Sequence, residues 1–286
     1  MTTATSTVAW RPAGWAWAAL PVAAALALYA PIFPALVHEW ATFPNLSHGF
    51  AIPFIAGYLL WCRRDRLRGL PLEPTLAGLP LVALGLLALV VGMRGQESFL
   101  ARISLPVTLL GLAIFLGGWR IARQTWGAIG YLAFMVPLPW ATLKLLTYRS
   151  RLLDASVSAA ALGWLGVPVH HDGVFLTLPN MVLEVADECS SIPAVAALLS
   201  LGVAYSSVVE RPLAARLILV LATLPFAISA NIIRITTTAA AVYYIGPWTL
   251  GTSYHMFNGT VNFLFTFCLL LALDSLLGRW LGRRAP

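Results

Sequence analysis

Apolar runs of bilayer-spanning length alternate with short polar breaks along this chain. Runs of roughly 17 to 25 apolar residues are long enough to cross the hydrocarbon of a membrane as helices. Eight such runs are predicted: about Gly14 to Val37, Leu46 to Cys62, Thr75 to Met93, Ile103 to Trp119, Gln124 to Leu143, Ile192 to Val209, Leu217 to Tyr244 and Met256 to Leu277. Pro31 and Pro34 interrupt the first, and the second reaches spanning length only with Leu46 to Gly49 included. The first run follows Arg11 and contains the small-residue stretch "AAALALYA", but it is longer than the apolar part of a signal peptide and is read as a retained span. The predicted fold is an all-α polytopic membrane protein of about eight transmembrane helices, organised as a single domain over residues 1–286.

One long stretch breaks the pattern. Residues 144–188 lie between spans, and their first part, "LKLLTYRSRLLDASVSAAALGWLG", has the alternation of an amphipathic helix lying along a membrane surface. The second part, "VFLTLPNMVLEV", places two short apolar runs around Pro179 and Asn180 and reads as a small β-hairpin able to cap a site or pair with an extended segment.

Charge then orients the chain. With the N-terminus in the cytoplasm, 12 of the 18 basic residues fall in cytoplasmic loops, among them Arg63, Arg64, Arg66 and Arg68, as the retention of Lys and Arg on that side requires. Seven of the eleven acids and all five histidines fall on the opposite side, which directs the search for chemistry to the external face. The composition, 59% hydrophobic and 10% charged, excludes an ordinary soluble domain. The net charge of +7 marks topology, and no nucleic-acid partner is expected.

Of the three cysteines, Cys62 sits at the cytoplasmic end of one span and Cys268 inside another, so Cys189, in "EVADECSSIPAV", is left without a disulfide partner on the external side. Ser190 and Ser191 are good N-cap residues and Pro193 suits a first helical turn, which puts Cys189 just ahead of a helix N-terminus, where backbone N–H groups favour a thiolate. Asp187 and Glu188 oppose that ionisation, so a cationic partner is required. Two candidates are Arg234, about 25 Å along the helix that begins near Leu217, and His255, just before the last span. Asn231 and Thr238 share the helix face of Arg234, and a polar face in an apolar helix points into the bundle. His255 heads a second polar face with Asn258, Asn262 and Thr266. A thiolate that attacks a carbonyl, an imidazole that protonates the leaving group and a cation that holds the oxyanion together describe acyl transfer.

These residues resemble the exosortase and archaeosortase family: a cysteine before a span, an "NxxR" helix from Asn231 to Arg234, and a histidine opening the last span. "LSHGFAIPFIAGYLLWCRR", "FMVPLPW" and "GVPVHHDGVFLTLP" extend the resemblance over nearly the whole chain. It implies a cysteine protease or transpeptidase of the bacterial inner membrane, with its active site facing the periplasm. The implied partners are the lipid bilayer and exported proteins ending in a Pro-Glu-Pro-type motif, a transmembrane helix and a basic tail. It also implies Cys189 as nucleophile, Arg234 as stabilising cation and His255 as acid-base, with Asn231, Asn258, His48 and Ser190 as supporting or substrate-side residues. Where the family often has Gly two residues after the cysteine, then a bulky and a basic residue, this chain has Ser191, Ile192 and Pro193, the mark of a divergent subgroup.

His170, His171 and Asp172 lack the spacing of a zinc motif and are assigned turn and surface roles, so no metal or other cofactor is expected. Two other functions stand beside this one: a transporter or export-system subunit, which fits eight spans with polar stripes, and a thiol acyltransferase acting on lipid or glycan, which would use similar thioester chemistry. Against transport, the polar residues gather at the external end and the two halves show no repeat.

Overall fold

The computed structural model describes residues 14–281; the side chains of residues 14–18, 44–45, 252–256 and 281 lie outside the described set. Helices hold 82% of the described residues, which makes the class all-α with one small sheet. In order the elements are α1 (Gly14–Tyr29), α2 (Phe33–Thr42), α3 (Ala51–Cys62), α4 (Arg64–Arg68), α5 (Leu79–Arg94), α6 (Ser98–Tyr131), α7 (Trp140–Trp164), β1 (His170–Asp172), β2 (Phe175–Thr177), β3 (Val182–Glu184), α8 (Ser191–Val208), α9 (Leu213–Tyr244) and α10 (Thr252–Leu281). Among the described residues, six helical segments are long and apolar enough to cross a membrane, and Leu46–Cys62 is a shorter apolar one.

The chain divides into two compact units, the first ending at Pro139 and the second beginning at Trp140. In the first unit the 38-residue apolar segment Ser98–Met135 is not one rod. Arg102 pairs with Glu39 at 2.6 Å, while Trp40, the next residue of α2, donates from Nε1 to the Met135 carbonyl at 3.0 Å. A straight helix would separate residues 102 and 135 by roughly 50 Å, so the segment folds back on itself. The reversal is at Gly118, with φ +77° and ψ 179°. A Cβ there would collide with the main-chain oxygen of Glu73, and the left-handed region disfavours any other residue. Among the described residues the eight expected runs thus appear as six helical segments of crossing length, one of them reversed at Gly118 and covering two of the expected runs, and the shorter helix Leu46–Cys62.

Small residues let helices of this unit approach closely, as at Gly92, where a Cβ would lie 2.5 Å from the Ala101 nitrogen. The Tyr29 hydroxyl is fully buried and bonds both Ser104 and Thr108 at 2.8 Å.

Two expected boundaries move. The predicted fifth span, Gln124 to Leu143, stops short of Pro137 and Pro139, because proline removes a donor and restricts the residue before it. The residues beyond, from Trp140, join α7 instead, so the predicted amphipathic helix starts earlier than residue 144.

In the second unit α7 packs against α8 and α9. The sheet is antiparallel in the order β1-β2-β3, with His171 opposite Leu176 and Leu176 opposite Leu183. The β2–β3 pair is the hairpin read from the sequence; its turn is closed by the Leu178 N–H donating to the Met181 carbonyl at 2.8 Å. The third strand corrects half of an expectation: His170, His171 and Asp172 lie at the surface as expected, but in an edge strand paired to β2 and not in a turn. Three residues carry too little pattern to announce a strand, and pairing to β2 is what creates it. Leu176 and Leu178 of the hairpin are buried against Ala155 and Leu162 of α7 and Ile235, Ala239 and Val242 of α9. Asn180 donates to the Val242 carbonyl at 3.0 Å, which pins the hairpin turn to the end of α9. At the other end of α9 and α10, Arg211 forms a two-point pair with Asp274 at 3.1 and 3.2 Å, and the Tyr205 hydroxyl completes it at 2.9 Å.

Candidate active site

The segment leaving β3 delivers Cys189. Val185 donates its N–H to Val174, and Asp187–Cys189 form one 3-10 turn closed by the Cys189 N–H on the Ala186 carbonyl at 2.9 Å. Helix α8 starts two residues later, with Pro193 in its first turn, where a missing N–H costs no hydrogen bond. Cys189 is half-buried, unpaired, and packed against the core of sheet, α7 and α9.

The cap of α8 is not made as the sequence predicts. Ser190 has the N-cap position but makes no side-chain capping bond; its Oγ is buried without a hydrogen-bond partner among the described residues. The cap comes from another helix. Asp154 of α7, fully buried, accepts the Ser191 N–H at 2.8 Å and the Ser191 hydroxyl at 2.5 and 2.7 Å. A helix N-terminus carries orphan donors and partial positive charge, so a buried carboxylate there replaces a local cap. Ser150, one turn earlier on α7, adds a bond to Asp154 at 3.0 Å, and Asn231 of α9 adds one from Nδ2 at 3.1 Å. Burial pushes the Asp154 carboxyl above its usual range, and these donors oppose that rise.

Asn231 has a second bond, from Nδ2 to the Cys189 carbonyl at 2.8 Å. It is 4% exposed, and its amide N–H groups are committed to the Cys189 main chain and Asp154. Asn231 thus holds the turn that carries the cysteine.

The acids beside Cys189 are answered by a residue the sequence reading passed over. Arg151 of α7 reaches Asp187 at 2.6 Å and Glu184 at 2.6 Å, and its Nε donates to the Val185 carbonyl. Arg234 is free for another role: among the described residues it has no carboxylate partner, and it lines a cleft of about 50 Å³ between α8, α9 and α10 together with Asn231, Asn262 and Thr266. Burial pushes the Cys189 thiol above its ordinary pKa; the Arg234 charge pulls it down, Glu188 pushes it up, and the Ala186 bond and Arg151 pull it down. Desolvation is the largest of these, so the resting group is a thiol.

Asn258 donates to Thr238 at 2.9 Å, and its Nδ2 lies 3.5 Å from the Arg234 carbonyl, which brings the first turns of α10 to the Arg234 turn of α9. Residue 255 lies one turn before Asn258 in α10; the His255 side chain is outside the described residues. The predicted polar face of α10 continues inward through Asn262, which donates to Asn258, and Thr266, which donates to the Asn262 carbonyl.

The structure thus gathers Cys189, Ser190, Asn231, Arg234 and Asn258 in the second unit. His48 belongs to the first unit, in the 3-10 turn Pro44–Phe50. The sequence reading missed Ser150, Arg151 and Asp154. Its one available signal was the four-residue spacing of Ser150 and Asp154, which puts a hydroxyl and a carboxylate on one helix face. Among the described residues no group of three His, Cys, Asp or Glu is placed to hold a metal ion.

Several apolar helices of crossing length define a multi-pass membrane protein, and its second unit holds a polar cluster beside a half-buried thiol. The family model described as transmembrane exosortase matches residues 40–272, and the chain belongs to that family. No curated protein and no solved structure gives a significant match.

Proposed function

We propose that this exosortase-family protein is a cysteine protease or transpeptidase that cuts the C-terminal sorting signals of exported proteins at the periplasmic face of a bacterial inner membrane. The observation that carries the reading is the meeting of Cys189, half-buried at the start of α8, with the field of Arg234, a cation without a carboxylate partner among the described residues. Cytoplasmic retention of the basic loops supports the orientation.

In this mechanism His255 takes the Cys189 proton and the thiolate adds to the scissile carbonyl. The new C–S bond forms as the carbonyl π pair moves to oxygen, and the Arg234 guanidinium holds that oxyanion. Collapse expels the amine, which leaves with the proton from His255, and the upstream peptide remains as a thioester on Cys189. Water, or the amine of an acceptor, then attacks the thioester, gives up a proton to His255 and releases the thiol. General acid-base help is commonly worth about 10² to 10⁴ in rate, and one oxyanion donor about 10² to 10³. The substrates are membrane-anchored proteins ending in a Pro-Glu-Pro-type motif, a transmembrane helix and a basic tail.

The test is mass spectrometry of Cys189 in membranes from cells co-expressing a candidate tailed protein. A peptide thioester on Cys189, and loss of processing in Cys189→Ala with insertion unchanged, are expected. Normal processing by Cys189→Ala sinks the reading, and a lipid or glycan-derived acyl group on Cys189 reassigns the chemistry to acyl transfer from those donors.

A further inference from the structure

We infer that Asp154 is a positioning residue for the thiol chemistry, fixing the main chain of Cys189 against the turn of α9 that carries Arg234. The inference rests on the proposed role of Cys189 but on separate contacts. Residues 189–191 are held from both directions: the Cys189 carbonyl accepts from Asn231 at 2.8 Å, and the Ser191 N–H is held by Asp154 at 2.8 Å. Between them Ser190 is 1% exposed. The same carboxylate takes Asn231 at 3.1 Å, so one buried group orients the amide that grips the cysteine and the peptide that follows it.

A carboxylate that only capped α8 would bond the Ser191 N–H and stop there. Asp154 also ties in Asn231, which precedes Arg234 by three residues on α9. One turn of α9 therefore carries both the grip on Cys189 and the cation whose charge acts on the thiol. Asparagine at 154 fits the space but brings two donors to a place crowded with donors: Ser150 Oγ, the Ser191 N–H and Oγ, and Asn231 Nδ2. It cannot satisfy that set, and the turn shifts. Displacements near 1 Å cost roughly 10²-fold in reactions that depend on alignment.

The experiment uses the full chain in membranes and two readouts. The first is processing of a reporter that ends in Pro-Glu-Pro, a transmembrane helix and a basic tail; Asp154→Asn is expected to slow it by roughly tenfold to a hundredfold at equal inserted protein. The second needs no substrate: the rate of iodoacetamide labelling at Cys189, read by mass spectrometry at pH 7. Arg234→Gln is expected to slow labelling by about threefold or more in the otherwise unchanged enzyme, and to have little further effect in Asp154→Asn, because the thiol no longer sits in that cation's field. A general loss of stability lowers the amount of enzyme and leaves this coupling intact. If Asp154→Asn does not accumulate, Ser150→Ala, which removes one donor to Asp154 and one of the two acceptors of the Ser191 N–H but leaves the carboxylate in place, is expected to lose part of the coupling. An equal Arg234→Gln effect in both backgrounds, including none in either, overturns the inference. Because labelling requires no turnover, that result is distinguishable from failure of the protease reading, which is judged by Cys189→Ala alone.

Discussion

Arg151 Nη1 lies 2.6 Å from Asp187 Oδ1, two residues ahead of the cysteine, and its Nη2 lies 2.6 Å from Glu184. A single guanidinium on α7 thus neutralises two of the three acids that precede Cys189 and, through Val185, holds the strand that leads to it. Both carboxylates are more than half exposed, so each pair is worth only about 0.2 to 1 kcal/mol. The consequence is local order. Arg151→Ala is expected to cost about 1 kcal/mol of global stability and to raise hydrogen exchange in residues 182–190 selectively. Unchanged exchange there would show that the sheet alone holds the segment.

The charges around Cys189 predict opposite effects of two substitutions. The reactive form is the thiolate, and burial holds the thiol pKa up, so below that pKa the labelling rate rises about tenfold per pH unit. Arg234→Gln removes a charge that lowers the pKa and moves the rise to higher pH. Glu188→Gln removes a charge that raises it and moves the rise to lower pH, increasing the rate at neutral pH. A slower Glu188→Gln enzyme would contradict the electrostatics. In turnover Arg234→Gln is expected to lose about 10²-fold or more if the guanidinium meets the oxyanion.

Gly118 makes the reversal within Ser98–Met135 possible. Alanine there must adopt φ near +77° and push against the Glu73 main chain, at a cost of roughly 2 to 4 kcal/mol. The expected outcome is a lower melting temperature or a lower yield of detergent-solubilised protein, with no direct effect on Cys189 labelling in the fraction that folds.

Asp274 is 7% exposed and depends on Arg211 for its counter-charge. Arg211→Gln leaves that carboxylate uncompensated, at a cost of about 3 kcal/mol. The double variant Arg211→Gln/Asp274→Asn removes the stranded charge and is expected to recover most of the loss in thermal unfolding. A double variant no better than the single would mean that the loop from Val209 to Pro212 is held by other contacts.

Much of the architecture was legible because the physics of a membrane is one-dimensional along the chain. Apolar runs must be long enough to span, so counting them gave about eight, and their order put Cys189, Arg234 and His255 at one depth on the external side; the structure brings the first two together, while the His255 side chain lies outside the described residues. Boundaries were less legible: Pro137 and Pro139 ended a run early, and a third strand formed only by pairing with β2.

By itself the sequence determined the polytopic all-α class, the exposed acids and cations around a single candidate thiol, and the inward polar faces at Asn231–Arg234 and Asn258–Thr266, because each of these is a matter of local period and charge. Only the tertiary structure decided which polar group answers which. The α8 cap passed from Ser190 to Asp154, Asn231 was spent on the Cys189 carbonyl, and Arg151 took the acids while Arg234 was left to the cleft. Hydrogen bonds and ion pairs reach only about 3 to 4 Å. Their partners are therefore fixed by how α7, α8 and α9 pack, and residues 37 to 77 positions apart in the chain meet there for reasons no local pattern records.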